Sequence, residues 1–260
     1  MNTQFANLFL YEYRMAVRRP GLWISFGIVC VFFLLGLNTT SGEGLIEVFT
    51  GKDMWLEAAE TVFTFHMFTP VLVGILASDR FQRDFHSNVR ELQISSPVST
   101  RNVILAKFLG MWASVLLAGL VSTLVHGSIS ILLLSAPAQF LLAESVAFFV
   151  MIAPAYAFVI AFSLGCPLLM PLRVYQILFT GYWVWGNLLT WKLIPTISDS
   201  LLNASGMYAL QGFYHSTRSP VMGSIHSQVE AWINLLVIIL CVTAALTATC
   251  IVAEWQYKRA

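Results

Sequence analysis

Hydrophobic and polar positions alternate along this chain in long blocks. Six long, mainly apolar intervals contain no charged residue: 20–42, 61–78, 108–143, 145–172, 174–191 and 231–253. A helix that crosses a bilayer needs about 20 apolar residues, within a range of about 17–25. The pattern therefore predicts an all-α integral membrane protein, with one transmembrane domain over residues 1–260 and six transmembrane helices. We place these spans at about 22–41, 59–78, 102–134, 141–165, 173–191 and 232–254.

The N-terminal segment carries a different pattern. Within residues 3–19, apolar side chains recur at helical spacing, and three arginines follow near its end. An apolar stripe beside arginines is typical of a helix that lies in the membrane interface. Pro20 and Gly21 then break the helix, so we predict an interfacial helix over 3–19.

Composition excludes a soluble domain. Hydrophobic residues make up 58% of the chain and charged residues only 10%, against roughly 25% charged in average soluble domains. The four cysteines lie in or beside apolar runs with no close partner, which predicts neither a zinc site nor a disulfide framework. No basic patch with interleaved aromatics indicates binding to nucleic acid.

The distribution of lysine and arginine predicts the orientation. If the N-terminus is cytoplasmic, 11 of the 14 cationic residues fall on the inner side, and only Lys52, Lys192 and Arg218 fall outside. Both termini are therefore predicted to be cytoplasmic, in a multi-pass protein of the bacterial inner (plasma) membrane.

The polar interval 78–101, between the second and third spans, predicts a short amphipathic helix. Phe81, Phe85, Val89 and Leu92 recur at offsets of 0, 4, 8 and 11 and share one face,. Pro97 ends the helix because proline lacks the amide donor. Asn102 can then begin the third span.

Several motifs of this interval and of the start of the third span, together residues 78–110, are shared with a known family. They are Arg83-Asp84, Glu91-Leu92, Pro97-Val98-Ser99 and Lys107-Phe108-Leu109-Gly110. In these motifs the interval resembles the loop between the second and third spans of type-2 ABC exporter permeases.

The resemblance implies a permease subunit that forms half of an export pathway. A second copy or a homologous permease would supply the other half, and two separate ABC ATPase subunits would supply the energy. The implied ATPase-coupling residues are Phe81, Arg83, Asp84, Phe85, Val89, Arg90, Glu91 and Pro97.

The chain itself is predicted not to be an enzyme. Its one Gly-Lys pair, Gly51-Lys52, lacks both the upstream glycine and the following serine or threonine of an ATP-binding loop,. We expect no cofactor in this chain and ATP-Mg on the partner ATPase. The alternative function is a non-transporting assembly or sensor subunit on the same six-helix scaffold.

The fifth span is rich in aromatic residues, some of them on one face. In the resembled family the second and fifth spans line the export path. By that analogy the candidate pathway-lining residues are Phe65, Thr69, Tyr175, Phe179, Tyr182 and Asn187. Ordinary packing or lipid-facing aromatics remain the other interpretation.

A few polar residues fall in or beside the spans. His66 and His126 can be functional groups at membrane depth or neutral side chains bonded to a neighbouring helix. Glu60 and Glu144 can be interface anchors or ion ligands. Gly119, Thr123 and Gly127, at four-residue spacing, predict close helix packing, either within the chain or between protomers.

The segment 192–230 is the longest predicted outer segment. Its apolar residues are too few in each run to cross a membrane and too many for a solvated loop,. We predict short outer helices between spans five and six, with helical order around 196–214, acting as a gate or lid.

Overall fold

The computed structural model describes residues 3–39, 53–80, 98–189, 195–217 and 225–259. Within these ranges the chain forms helices and connecting turns and no strand. The α-helices are α1 (Thr3–Val17), α2 (Pro20–Thr39), α3 (Met54–His66), α4 (Thr69–Ser78), α5 (Thr100–Leu134), α6 (Gln139–Ala147), α7 (Ala153–Gly165), α8 (Leu172–Trp183), α9 (Met207–Tyr214) and α10 (Gln228–Arg259). Two π-helical turns, Phe148–Ile152 and Val184–Leu188, follow α6 and α8, and a 3₁₀ turn, Cys166–Leu168, follows α7.

Three helical stretches are long and apolar enough to cross a membrane: Thr100–Leu133, Gln139–Leu168 and Gln228–Gln256. Two bent helix pairs, Gln4–Val17 with Pro20–Phe33 and Met54–His66 with Thr69–Ser78, raise this number to five if each pair is one span. The chain is therefore an all-α membrane protein with three to five candidate spans in its described residues. The stretch Leu172–Leu188, at 17 residues, lies at the lower limit of a spanning helix.

The second predicted span is not one straight helix. α3 and α4 are bent by 45° at Met67 and Phe68. Pro70 stands in the first turn of α4, where its missing N–H costs no helical hydrogen bond. The freed carbonyls are satisfied from nearby: Thr69 Oγ1 donates to the His66 oxygen at 2.8 Å, and Trp183 Nε1 donates to the Met67 oxygen at 3.1 Å.

The long helix α5 begins and ends at identifiable caps. The helix begins at Thr100, two residues before the predicted start at Asn102, and Ser99 is its N-cap, with a side chain that accepts from the Asn102 amide at 3.4 Å. Ser135 adopts a left-handed conformation with a φ of 55°. The Ala136 amide then bonds the Ser130 oxygen, which closes the helix as a C-terminal cap.

Small residues on α5 allow other helices to approach closely within the same chain. A Cβ on Gly119 would lie 2.8 Å from the Phe148 ring, and a Cβ on Gly127 would overlap the Glu144 carboxylate. Thr123 lies between them and hydrogen-bonds His66. The four-residue spacing predicted from the sequence therefore serves packing inside the chain.

The helices run between two ends of the bundle, which we call the clasp end and the cap end. The clasp end contains Glu12, Asp79, Lys107 and Gln256. The cap end contains Glu60, Ser135 and the cap, which we define as residues 195–217. Only 22% of the most apolar 18-residue stretch of α10 is buried. Most of its Leu, Ile and Trp side chains therefore face outward, as expected of a helix in contact with lipid.

Candidate coupling and pathway site

The predicted ATPase-coupling residues, from Phe81 to Pro97, lie outside the described residues. The structure does describe the two flanks of this segment. Arg80 follows α4 directly, and Val98 and Ser99 lead into α5. Both flanks are at the clasp end of the bundle.

A buried ionic cluster joins these flanks to the N-terminal helix. Glu12 on α1 accepts a hydrogen bond from Lys107 Nζ at 2.5 Å and forms an ion pair with Arg80 at 3.7 Å. The three side chains are between 2% and 4% exposed. These buried charges depend on one another, because in a low dielectric each is stabilised by its oppositely charged neighbours.

A second ion pair lies nearby and is less buried. Arg19, at the corner between α1 and α2, bonds Asp79 at 3.1 Å and reaches the Leu76 carbonyl at 3.4 Å. The Asp79 side chain is 24% exposed, so this pair is partly screened by solvent. Together the two clusters attach the end of α4 to α1 and to the turn that precedes Pro20.

The close approach of α1 and α5 requires a glycine. A Cβ on Gly110 would lie 2.8 Å from Glu12 Cβ and 2.9 Å from the Tyr13 amide nitrogen. Lys107 and Gly110 stand three residues apart on α5 and therefore face the same side. The motif Lys107-Phe108-Leu109-Gly110 thus has a structural explanation. Lys107 bonds Glu12, and Gly110 leaves space for the backbone of α1 beside Glu12.

Two of the predicted pathway residues, Phe65 and Thr69, lie in a buried polar cluster around His66. His66 Nδ1 is 2.9 Å from the Tyr156 hydroxyl, and Nε2 is 2.9 Å from Thr123 Oγ1. Thr69 Oγ1 lies 2.7 Å from the same Tyr156 hydroxyl. Both ring nitrogens are engaged, so His66 joins α3 to α5 and α7, as the hydrogen-bonded interpretation predicted.

Three others line one cavity. Tyr175, Phe179 and Tyr182 contribute to a cavity of about 380 Å³ between α7, α8 and α10, which Ile197 and Leu202 cover from the cap. Tyr175 and Phe179 are each 5% exposed, and the Tyr175 hydroxyl bonds Ser163 Oγ at 2.8 Å. The aromatic face of α8 therefore points into this chain, and its outward face carries Val174, Ile177 and Leu178.

Asn187, the last of the predicted pathway residues, is buried in the π-helical turn after α8. Its Oδ1 accepts a hydrogen bond from the Ala204 amide at 2.8 Å. A π-helical turn adds a residue to the helix and so reorients the side chains after it. Asn187 thereby fastens the cap to the end of α8.

The cap is held by further polar contacts. Asn203 accepts from the Ser205 amide and donates to the Ser198 oxygen, and Asn234 of α10 donates to the Leu201 and Asn203 oxygens. Helical order is limited to α9, and residues 196–206 form turns. The predicted helical order over 196–214 is therefore present only in residues 207–214. In residues 196–206, hydrogen bonds to side chains take the place of helical ones.

The cap also docks on the second and fourth predicted spans. Ser216 Oγ donates to Glu60 Oε1 at 2.5 Å. Gly206, at a φ of +89°, lies against the π-helical turn after α6, where a Cβ would be 3.1 Å from Met151 Cβ. His226 stacks on Tyr208 with a centroid distance of 3.6 Å, and burial lowers the pKa of His226 and raises that of Tyr208 to about 12.

One buried pair was not anticipated from the sequence. His126 Nδ1 lies 2.8 Å from Glu144 Oε1, with side chains 4% and 0% exposed. Phe65 stands between the two histidines, with ring centroids 4.7 Å from His66 and 5.6 Å from His126. Glu144 is therefore a buried partner and not an interface anchor. The signal in the sequence was Gly127, which leaves the space that the carboxylate occupies.

The fold and these contacts define a multi-span helical membrane protein with charged and hydrogen-bonded contacts at both ends. The sequence model of the ABC-2 family transporter protein matches residues 6–185, and the chain belongs to that family. It is therefore a membrane permease component of an ABC transporter, and the family implies association with ABC ATPase subunits. No curated protein and no solved structure matches the chain.

Proposed function

We propose that this chain is one half of an ABC exporter of the bacterial plasma membrane, with six spans and both termini cytoplasmic. The proposal is carried by the family match together with the ion pairs of Glu12 with Arg80 and Lys107 at the clasp end. The described chain on either side of residues 81–97 is attached to α1 through Arg80 and Lys107, so a partner that docks on this segment could act on α1. In this arrangement Leu172–Leu188 is the fifth span.

Two ATPase subunits would dock at the clasp end, on the segment 78–97 and on α1. The implied contact residues are those of the amphipathic helix, with Phe81, Phe85 and Val89 on its apolar face. Closure of the ATPases would move this segment, and a second copy or a homologous permease would complete the pathway. ATP-Mg would bind the ATPase subunits and not this chain.

The export path would involve the residues named from the sequence, in two ways. Tyr175, Phe179 and Tyr182 line the cavity between α7, α8 and α10, which lies under the cap. Phe65, Thr69 and Asn187 support that region through the His66 cluster and the cap. The cap itself would open toward the outside when the two halves move.

Copurification with an ABC ATPase, sought first in the reading frames adjacent to that of this chain, tests the proposal. We expect a stable complex whose ATP hydrolysis exceeds that of the isolated ATPase. Phe85→Asp should abolish the excess without preventing membrane insertion, whereas Phe85→Leu, which keeps an apolar side chain, should retain it. A chain that binds no ATPase would instead be the non-transporting subunit.

Orientation is tested by labelling single cysteines in a background that lacks Cys30, Cys166, Cys241 and Cys250. Ser87→Cys should react from the cytoplasmic side only. Leu202→Cys should react from the outside only, since Leu202 is 45% exposed in the cap. Reaction of both from the outside would contradict the six-span arrangement.

A further inference from the structure

One carboxylate contacts both flanks of the segment that we propose to dock the ATPase. Glu12 bonds Arg80, which directly precedes the coupling residues Phe81 to Pro97, and Lys107, which lies two turns into the helix after them. The sequence separations are 68 and 95 residues, so only the tertiary structure brings these groups together. Glu12 lies on α1, which belongs to neither flank.

The geometry makes these three elements one mechanical unit at the clasp end. A displacement of either flank from α1 would separate opposite charges that are almost fully buried, where their attraction is strongest. Gly110 leaves no gap between α1 and α5, because the Glu12 backbone fills the space that a side chain would take. Sliding of α1 along α5 is therefore resisted by both charge and packing.

The unit continues into the first and second spans. α1 meets α2 at a bend of 53° across Arg18 and Arg19, and Arg19 bonds Asp79 at the end of α4. In the middle of α4, Gly74 packs against α8, where it meets the Phe179 ring. A movement that begins beside Arg80 can thus reach α2 and the aromatic face of α8.

We propose that Glu12 is the positioning residue that makes α1 and the first span follow the ATPase-docking segment. The proposal rests on the proposed function and adds a residue to it. Glu12 binds neither nucleotide nor substrate in this role. It holds Arg80 and Lys107 in a fixed relation to α1, so that a force on the segment between them moves three spans together.

The test measures the response of the cap to nucleotide in the complex with the ATPase subunits. The reporter is Leu202→Cys in the background without native cysteines, labelled with a membrane-impermeant maleimide. We expect ATP with vanadate to change the labelling rate severalfold in the parent chain. Glu12→Gln, which removes the charge from both contacts, should bring the rate back to the nucleotide-free value while the ATPase remains bound.

Three further variants separate positioning from simple stability. Lys107→Arg keeps the cation and should keep the response, whereas Lys107→Met should lose it. Glu230→Gln removes an exposed carboxylate at the cap end and should leave the response unchanged. The thermal midpoint of each complex is measured alongside, and Lys107→Met decides the matter if Glu12→Gln does not insert.

The outcomes are distinct. If Glu12→Gln or Lys107→Met retains the nucleotide response, the role of Glu12 is refuted and the exporter function stands. If the parent chain binds the ATPase but its cap never responds to nucleotide, the inference and the proposed coupling are both refuted. Loss of response in Glu12→Gln and Lys107→Met, with retention in Lys107→Arg, supports the proposal.

Discussion

Trp183 of α8 donates a hydrogen bond from its indole nitrogen to the backbone carbonyl of Met67 at 3.1 Å. Trp183 is fully buried, and Met67 lies at the break between α3 and α4. The break exposes backbone groups inside a membrane protein, where water is not available to satisfy them. The fifth predicted span therefore stabilises the bend in the second.

Trp183→Phe should destabilise the protein by about 1–3 kcal/mol, because it leaves the Met67 carbonyl without its donor. Thermal unfolding in detergent measures the change. Trp232→Phe is the matched control, since Trp232 is 61% exposed on α10 and should shift the midpoint little. Equal shifts for the two variants would show that the bond to Met67 contributes nothing.

Gly74→Ala should destabilise the contact between α4 and α8. A Cβ at this position would overlap the Phe179 ring, and overpacking of a core costs about 1–3 kcal/mol. Gly181→Ala on α8 is the control, because a Cβ there meets nothing within 4 Å and alanine favours the helix. Phe179→Leu combined with Gly74→Ala should recover part of the loss, and a purely additive double variant would contradict the predicted contact.

Ser216→Ala should loosen the cap. Ser216 donates to the Glu60 carboxylate at 2.5 Å, and a hydrogen bond to a charged group contributes about 1.5–3 kcal/mol. We expect faster hydrogen exchange in α9 and in residues 195–206, with little change in α5. Ser128→Ala is the control, because the Ser128 hydroxyl bonds the Leu124 oxygen of its own helix. Exchange that rises equally in both variants would argue that the bond between Ser216 and Glu60 does not hold the cap.

Glu144→Gln and His126→Gln should each destabilise the bundle by about 1–3 kcal/mol, because each change disrupts a hydrogen bond between two buried side chains,. The double variant should be more stable than the sum of the single changes predicts, because neither original side chain then remains buried without its partner. Unfolding of all four proteins forms a double-mutant cycle. A coupling energy near zero would mean that the two side chains do not interact in the membrane.

Several features were readable from the sequence because they depend on local composition. Long uncharged runs must form helices in lipid, since only internal hydrogen bonds satisfy the backbone there. Pro20 ended α1, and Ser135 followed the end of α5, through the local chemistry of proline and of a helix cap. The family resemblance rested on short motifs around Pro97 and Lys107, and the family match supports it.

Other features needed the folded chain. Pro70 is a local signal of a break within residues 59–78,, but the angle of the bend depends on how α3 and α4 pack. Asn187 and Asn203 look like ordinary loop or span residues until the cap folds over α8. The coupling helix and its residues from Phe81 to Pro97 remain a prediction, because they lie outside the described residues.

The sequence by itself determined that the chain is a helical membrane protein, where its apolar segments lie, and which family it belongs to, because hydropathy and short motifs are local properties. The tertiary structure alone decided which polar groups meet. Glu12 contacts Arg80 and Lys107, which lie 68 and 95 residues away in the sequence. His126 contacts Glu144 across 18 residues, and Ser216 contacts Glu60 across 156. Buried charges and hydroxyls require partners, but the pairing depends on how helices pack, and spacing along the chain does not encode it.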